Sequence, residues 1–252
     1  MSPRRRLLWR VARALGDAGA RWSWNDQFRS GYWDTLRNRR GTVASLVEQL
    51  AGGGDIVELG CGEGVLIESV DPDAYRTYVG VDLSRVAIDA ATRRARQAGL
   101  EKCRFEVGRF EQCPHLADAS LVIMEESLYY LKPRRQRRLL RRCLGRLNAG
   151  GRIVVAVHCA TRHRSTLASC RRAAVVEREI RESDRVILTL RARDEAGPCV
   201  CRVMGVPAPR YRGMPMFRHW WSGLSWHEKA GATVGTVRRV RRRKLRARVT
   251  VS

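Results

Sequence analysis

The sequence predicts an α/β protein built on a doubly wound, mostly parallel sheet of seven strands, with an inserted β-hairpin and helix as a cap. Three observations carry that prediction. From about residue 43, short β-branched runs alternate with longer helical patterns, which is the signature of successive βα units. The short runs are nearly continuous in apolar character, as strands covered on both faces are. A glycine-rich turn directly follows the first run.

Residues 1–42 form a helical segment and lid. Within it Leu7, Leu8, Val11 and Leu15 fall on one face of a basic helix, and that stripe is expected to dock on the protein's own domain. A membrane or a nucleic acid is the other kind of surface such a helix suits. Arg4, Arg5 and Arg6 begin like a secretion signal, yet Arg10, Arg13 and Asp17 interrupt the apolar region and no clean cleavage site follows. A cytoplasmic protein is expected.

Residues 43–162 form the core. Its strands are placed at Asp55–Leu59, Tyr78–Asp82, Arg104–Val107, Leu121–Met124 and Arg152–Val157. Ser84 stands as an N-cap before one helix and Gly99 stops it. Pro133 opens another helix, whose Leu139, Leu140, Cys143 and Leu147 recur at the spacing of a sheet-facing stripe. Residues 163–219 exceed what one crossover needs and are read as an insertion, a probable substrate cap. There a helix precedes a hairpin made of Arg185–Arg193 and Cys199–Met204 about the turn Asp194-Glu-Ala-Gly-Pro198. Residues 220–252 are expected to hold a helix at 220–229 and two strands, 232–240 and 245–251, that complete the core.

Composition sets the outer bounds. With 252 residues, 44% hydrophobic and 29% charged, the chain fits a globular domain with one elaboration, and disorder and collagen are excluded. A chain of this size buries roughly 70–75% of its unfolded surface and needs no disulfide or metal staple. Its eight cysteines make no pair of CxxC motifs, so they are read as reduced core thiols and no metal is expected. Cys199 and Cys201 with His158, Cys159 and His163 match no standard metal spacing. No apolar run reaches the ~18 residues a membrane span requires.

Lys and Arg total 49 against 25 Asp and Glu, a net charge of +24, and the lysines are only Lys102, Lys132, Lys229 and Lys244. The positive field attracts anionic partners: nucleic acid, phosphorylated or carboxylated molecules, or anionic lipid. Lys132–Arg142 reads as a solvated helix face, and 238–248 is a second basic run. No pattern of a known RNA-binding module is present.

The chemistry concentrates at Glu58-Leu59-Gly60-Cys61-Gly62-Glu63-Gly64. Glycines let backbone approach a ligand closely, and the segment behind them offers free N–H groups. Position 65 is Val, so the dinucleotide pattern GxGxxG fails, and no GK[ST] follows to make a phosphate-binding Walker loop. The arrangement resembles the class I S-adenosylmethionine-dependent methyltransferases, whose first motif has the form E-x-G-x-G-x-G and whose fold is Rossmann-like. Asp82 falls where that family places an acid for the ribose diol, and a carboxylate suits two hydroxyls because it offers two acceptors in one plane. Leu147-Asn-Ala-Gly-Gly-Arg-Ile153 resembles the LxPGG turn, and Ala230-Gly-Ala-Thr-Val234 the AGF-x-V start of the sixth strand. Glu126-Ser-Leu-Tyr-Tyr-Leu131 resembles the E-V-L-Y-Y-L of a subgroup containing nodulation N-methyltransferases and enzymes acting on sugars and natural products.

The resemblance implies S-adenosylmethionine as cofactor, with S-adenosylhomocysteine as product, held by Glu58, Gly60, Cys61, Gly62, Gly64, Asp82, Leu83, Phe110 and Glu125. Gly108-Arg109-Phe110 departs from the family's Gly-Asp, so the acid for the adenine amino group is missing and Phe110 is left to pack on the ring. Tyr32, Trp33, Tyr129 and Tyr130 are substrate-side candidates, with Tyr32, Trp33 and Arg40 forming the lid. His158 and Glu126 are the candidate proton acceptors near the carboxyl edge of the sheet. The expected reaction is methyl transfer to an O or N of a small molecule, sugar or glycan. The alternative is an RNA-binding methyltransferase, and a cofactor-binding regulator without catalysis comes third.

Overall fold

The structure, a computed structural model, describes residues 3–33 and 41–193. Two helices come first, α1 (Pro3–Ala14) and α2 (Asp17–Arg29), followed by α3 (Gly41–Ala51). The strands are β1 (Asp55–Leu59), β2 (Thr77–Asp82), β3 (Cys103–Val107), β4 (Leu121–Glu125), β5 (Arg152–Val157), β6 (Val175–Glu182) and β7 (Arg185–Arg191). Between them run α4 (Arg85–Gln97), α5 (Pro133–Leu144) and α6 (Arg164–Ala173). All seven strands join one sheet in the order β3-β2-β1-β4-β5-β7-β6. The first five run parallel to one another, and β7 runs antiparallel to both β5 and β6.

Strand alternation divides the core into two layers. Val57, Leu59, Val122, Met124, Ile153 and Val155 meet Leu139, Leu140 and Cys143 of α5 and Leu167 and Cys170 of α6. On the opposite face Ile56, Tyr78, Leu121, Ile123 and Val154 meet Val43, Leu46 and Val47 of α3. The start of α4 is as the sequence predicts, with Ser84 Oγ accepting from the Ala87 N–H at 3.2 Å. Because β1 leads one way along the sheet and β4 starts the other half, the topological switch point lies between their carboxyl ends, where ligands bind in such sheets.

Three expectations need revision. The hairpin strand at residue 185 pairs backward with β6, not forward across Asp194–Pro198, and its turn is Ser183-Asp184. Ser183 sits at φ +40 there. This hairpin extends the main sheet through β5, so among the described residues the sixth and seventh strands come from 175–191. Cys199–Met204, the predicted helix at 220–229, the strands at 232–251, Ala230–Val234 and Arg40 all lie outside the described residues. The third revision concerns α1. Its buried positions are Trp9 and Ala12, while Leu7, Leu8, Val11 and Leu15 are exposed. The inward face wins because Trp9 Nε1 donates to Asp26 Oδ2 at 2.7 Å and Arg5 donates to both oxygens of the same carboxylate, at 2.8 and 3.0 Å.

Leu140 is fully buried under the sheet whereas Leu7 is on the surface. Leu140→Ala is expected to cost roughly 2–5 kcal/mol of unfolding free energy, from lost burial plus the cavity left behind. Leu7→Ala should stay within about 0.5 kcal/mol. Urea denaturation of the two variants measures both.

Candidate active site

The glycine turn after β1 is built by close approach. Gly60 has φ +88, and a Cβ there would lie 2.4 Å from Cβ of Ser127 and 3.2 Å from the Phe110 ring. Only glycine lets the end of β1 pass between those side chains. Ser127 fixes the crossing by donating to the Leu59 carbonyl at 2.6 Å. The turn is drawn toward β2 as well, since the Gly60 and Cys61 N–H groups both donate to the Val81 carbonyl.

Asp82 completes this junction. One carboxylate oxygen accepts the Gly62 N–H at 3.1 Å and the other the Ser84 N–H at 2.8 Å, so a single side chain links the glycine turn to the start of α4. Desolvation pushes its pKa up, opposed by the N–H groups of Ser84, Gly62 and Leu83. A carboxylate offers about four acceptor sites, so Asp82 keeps acceptor capacity beyond these backbone donors. Leu83 is half-buried beside it. Glu58 at the start of the turn is buried and accepts the Tyr78 hydroxyl, and its charge adds to desolvation in raising the neighbouring Cys61 thiol. Cys61 is buried, and desolvation holds its thiol well above the ordinary range, which makes it a poor nucleophile.

Beside the ends of β2 and β3 a pocket of about 200 Å³ is lined by Val81, Glu106, Val107, Gly108, Arg109, Gln112, Cys113 and Pro114. Arg109, which stands where the resemblance called for an acid, pairs with Asp17 at the start of α2. The next turns of α2 hold further contacts. Asn25 Oδ1 accepts from Ser84 Oγ at 2.8 Å and from the Val86 N–H at 3.3 Å. Phe28 stands 3.6 Å from where a Gly62 Cβ would be. Thus α2 crosses the carboxyl ends of β3, β2 and β1 and roofs the turn.

The four aromatic residues picked from the sequence lie in one chain of rings. Tyr32 meets Trp33 at 4.9 Å, Trp33 meets Trp24 at 6.1 Å, Trp24 meets Tyr130 edge-on at 4.6 Å, and Tyr130 meets Tyr129 at 4.6 Å. Tyr129 then stacks on His163 at 4.1 Å. Trp33 Nε1 is buried with no hydrogen-bond partner among the described residues, a cost that a ligand acceptor would offset. Trp24, Phe28 and Asn25 escaped sequence reading. Their only signal was an aromatic and amide cluster on a helix of low amphipathicity.

Next to this wall the ends of β4, β5 and β7 bring titratable groups together. Glu126 has φ +51, a conformation that costs a non-glycine residue and tends to occur at functional sites. Its Oε2 accepts the His158 N–H at 2.9 Å and the Tyr129 hydroxyl at 3.2 Å, and its Oε1 lies 3.6 Å from Arg185. Burial pushes its pKa up to about 7, against the opposing pull of the His158 N–H and Arg185. Desolvation also lowers His163 and raises Tyr129 far above the ordinary phenol. His158 Nδ1 lies 3.0 Å from Asp184 Oδ1. A carboxylate only accepts, so Nδ1 carries the proton and Nε2 is the basic nitrogen of the neutral ring. Glu125 pairs with buried Arg185. Ligand atoms of His158, Cys159 and Asp184 lie within 4.8 Å of one another, a candidate metal-binding group among the described residues.

The protein comparisons agree with this architecture. Residues 56–151 match the family described as Methyltransferase domain. Among curated proteins none matches significantly. Among solved structures, the NcsB1 O-methyltransferase from neocarzinostatin biosynthesis, crystallised with S-adenosylmethionine and a naphthoic acid, aligns at 23% identity and TM-score 0.55 over 68% of this chain and 61% of its own. The NodS N-methyltransferase of Bradyrhizobium japonicum, bound to S-adenosylhomocysteine, aligns at 16% and 0.52 over 63% of this chain and 91% of its own. The mitomycin 7-O-methyltransferase MmcR aligns at 19% and 0.52 over 74% and 60%. The chain thus spans under two-thirds of NcsB1 and MmcR, and at these identities the likeness is one of fold. Residues 56–151 thus match the methyltransferase-domain family, and the sheet has the Rossmann-like fold of the S-adenosylmethionine- and S-adenosylhomocysteine-bound methyltransferases it is similar to.

Proposed function

We propose that this protein uses S-adenosylmethionine to methylate an oxygen or nitrogen of a small molecule, in the class of sugars, glycans or natural products. The observation that carries the reading is the Asp82 junction, which presents a carboxylate with open lone pairs beside a glycine turn at the sheet's switch point. The residues fit the cofactor: Asp82 for the ribose diol, the glycine turn for the amino-acid end, and Phe110, Leu83 and the adjoining pocket for the adenine. Trp33 Nε1 is a buried donor with no acceptor among the described residues. The cofactor supplies a methyl group on a sulfonium, an already activated leaving group, so the protein's task is mainly positioning and water exclusion.

The α2 roof and the ring chain from Trp33 to Tyr129 exclude water and offer a flat apolar wall to an acceptor. His158 takes the acceptor's proton at Nε2, with Asp184 holding its ring and stabilising the positive charge. Glu126 anchors the His158 backbone and, poised near neutrality, supplies a second proton acceptor. The RNA alternative draws on exposed Arg134, Arg138 and Arg141 of α5. In the same helix Arg135 pairs with Glu111, and Arg142 donates to the Cys113 carbonyl at 3.0 Å, as on an ordinary solvated face. Incubation with methyl-labelled S-adenosylmethionine and fractionated extract separates the two, with label expected in low-mass acceptors rather than RNA.

Asp82→Ala is expected to weaken cofactor binding by roughly 1.5–3 kcal/mol, the scale of hydrogen bonds to a charged group, as titration calorimetry reads directly. Unchanged affinity would remove Asp82 from the site. His158→Ala should lower kcat at least 100-fold and leave cofactor affinity intact, with Asp184→Asn intermediate and chelator without effect. If chelator abolishes turnover, the His158, Cys159 and Asp184 group holds a metal instead. Glu126 gives a pH signature. Its folded pKa of about 7 exceeds the ordinary 4.5, so ionising it opposes folding, and stability present below pH 4.5 is lost as pH rises through 7. Between pH 5 and 8 the wild type should therefore lose roughly 1–3 kcal/mol more than Glu126→Gln, measured by urea denaturation at both pH values.

A further inference from the structure

The first helix has two faces, and among the described residues only one of them is buried. Trp9 is 3% exposed and, with Arg5, is fastened to Asp26 of α2. Trp9 also meets Tyr32 edge-on at 5.3 Å. At 100° per residue, Leu7, Val11, Leu15 and Leu8 occupy a single arc about 100° wide on the opposite side. They are 60%, 50%, 74% and 53% exposed. Arg4 lies within that arc and Arg10 beyond its edge, both exposed. The helix sequence PRRRLLWRVARA contains no acidic residue.

We propose that α1 is an interfacial helix that lays Leu7, Leu8, Val11 and Leu15 into the surface of an anionic lipid bilayer, with Arg4 and Arg10 at the phosphates. The two chemistries on one face choose the occupant. Aliphatic side chains gain by entering the boundary between headgroups and acyl chains, and arginines among them gain from anionic headgroups. A nucleic acid would satisfy the arginines and leave four aliphatic side chains in water. A second copy of the face would bring arginine against arginine with no acid in α1 to compensate, on a chain already at +24. The lipid satisfies both sets at once. Since Asp26 holds the other face, the helix can lie on a membrane without leaving α2, and the α2 roof of the active site would then sit close to the bilayer.

The test uses the full chain and sedimentation with vesicles of phosphatidylcholine alone or mixed 7:3 with phosphatidylglycerol. Binding is expected only to the mixed vesicles and should fall steeply with salt. The variant Leu7→Gln, Leu8→Gln, Val11→Gln, Leu15→Gln should lose at least 10-fold in partitioning with unchanged thermal stability, and Arg4→Gln, Arg10→Gln should lose several-fold. Cofactor affinity should be unaffected in both, so the result stands apart from the proposed reaction. Undiminished vesicle binding by the four-Gln variant would overturn the proposal, because the general positive charge would then suffice. A fall in the thermal stability of that variant would overturn it in favour of a face covered by the protein's own residues 194–252. Wild type that ignores vesicles overturns it too, in favour of self-association if it elutes as a dimer that the variant abolishes, or of RNA if an oligonucleotide binds wild type and not the variant.

Discussion

Two backbone N–H groups, those of Gly62 and Ser84, converge on the carboxylate of Asp82, and the rest of the site is arranged about that junction. It holds the glycine turn against β2, where the Val81 carbonyl already accepts from Gly60 and Cys61. It also starts α4, whose N-cap Ser84 in turn binds Asn25 of α2. A half-buried carboxylate needs such donors, because desolvation without them would drive it neutral. Here the same groups that satisfy the charge set the geometry of the crevice.

An arginine-rich chain must also place cations where they do not repel one another. The buried case is Arg185, held by Glu125, Glu126 and Glu182 at the ends of β4 and β6. Burying a guanidinium is costly unless it is paired and hydrogen-bonded, and the pairing here draws three strand ends together beside the candidate proton acceptors. Glu126 feels both influences: burial raises its pKa and Arg185 lowers it, and the balance falls near neutrality. Arg109 shows another use. It stands where an acid was expected, and its partner is Asp17 on α2, so it clasps that helix to the end of β3.

Much of this was legible in the sequence. The first five strands were marked by apolar runs, α4 by Ser84 and Gly99, and α5 by Pro133 and its leucine spacing, because each signal is local and is decided within a few residues. The glycine turn, Asp82 and the strand-four segment were equally plain, since their chemistry follows directly on strand ends. What stayed hidden depends on residues far apart in the chain. Asn25 reaches Ser84 across 59 positions and Arg185 reaches Glu125 across 60. No local pattern encodes such pairs.

The hairpin and the face of α1 departed from expectation for related reasons. Asp194-Glu-Ala-Gly-Pro198 carries the stronger local turn signal, but Val175–Glu182 can shelter the edge of β7 only if the chain reverses at Ser183-Asp184, and seven strand pairings outweigh one turn preference. In α1 four aliphatic residues make the obvious inner face by periodicity, yet Trp9 and Arg5 share the Asp26 carboxylate and turn the helix the other way. The sequence alone therefore determined the first five strands, the glycine turn and the residue types available for chemistry, because local spacing specifies them. Only the tertiary structure decided the sheet's last two strands, the outward face of α1 and the assembly of Glu126, His158, Asp184 and Arg185, because each depends on which distant partner satisfies a buried charge or covers an apolar edge.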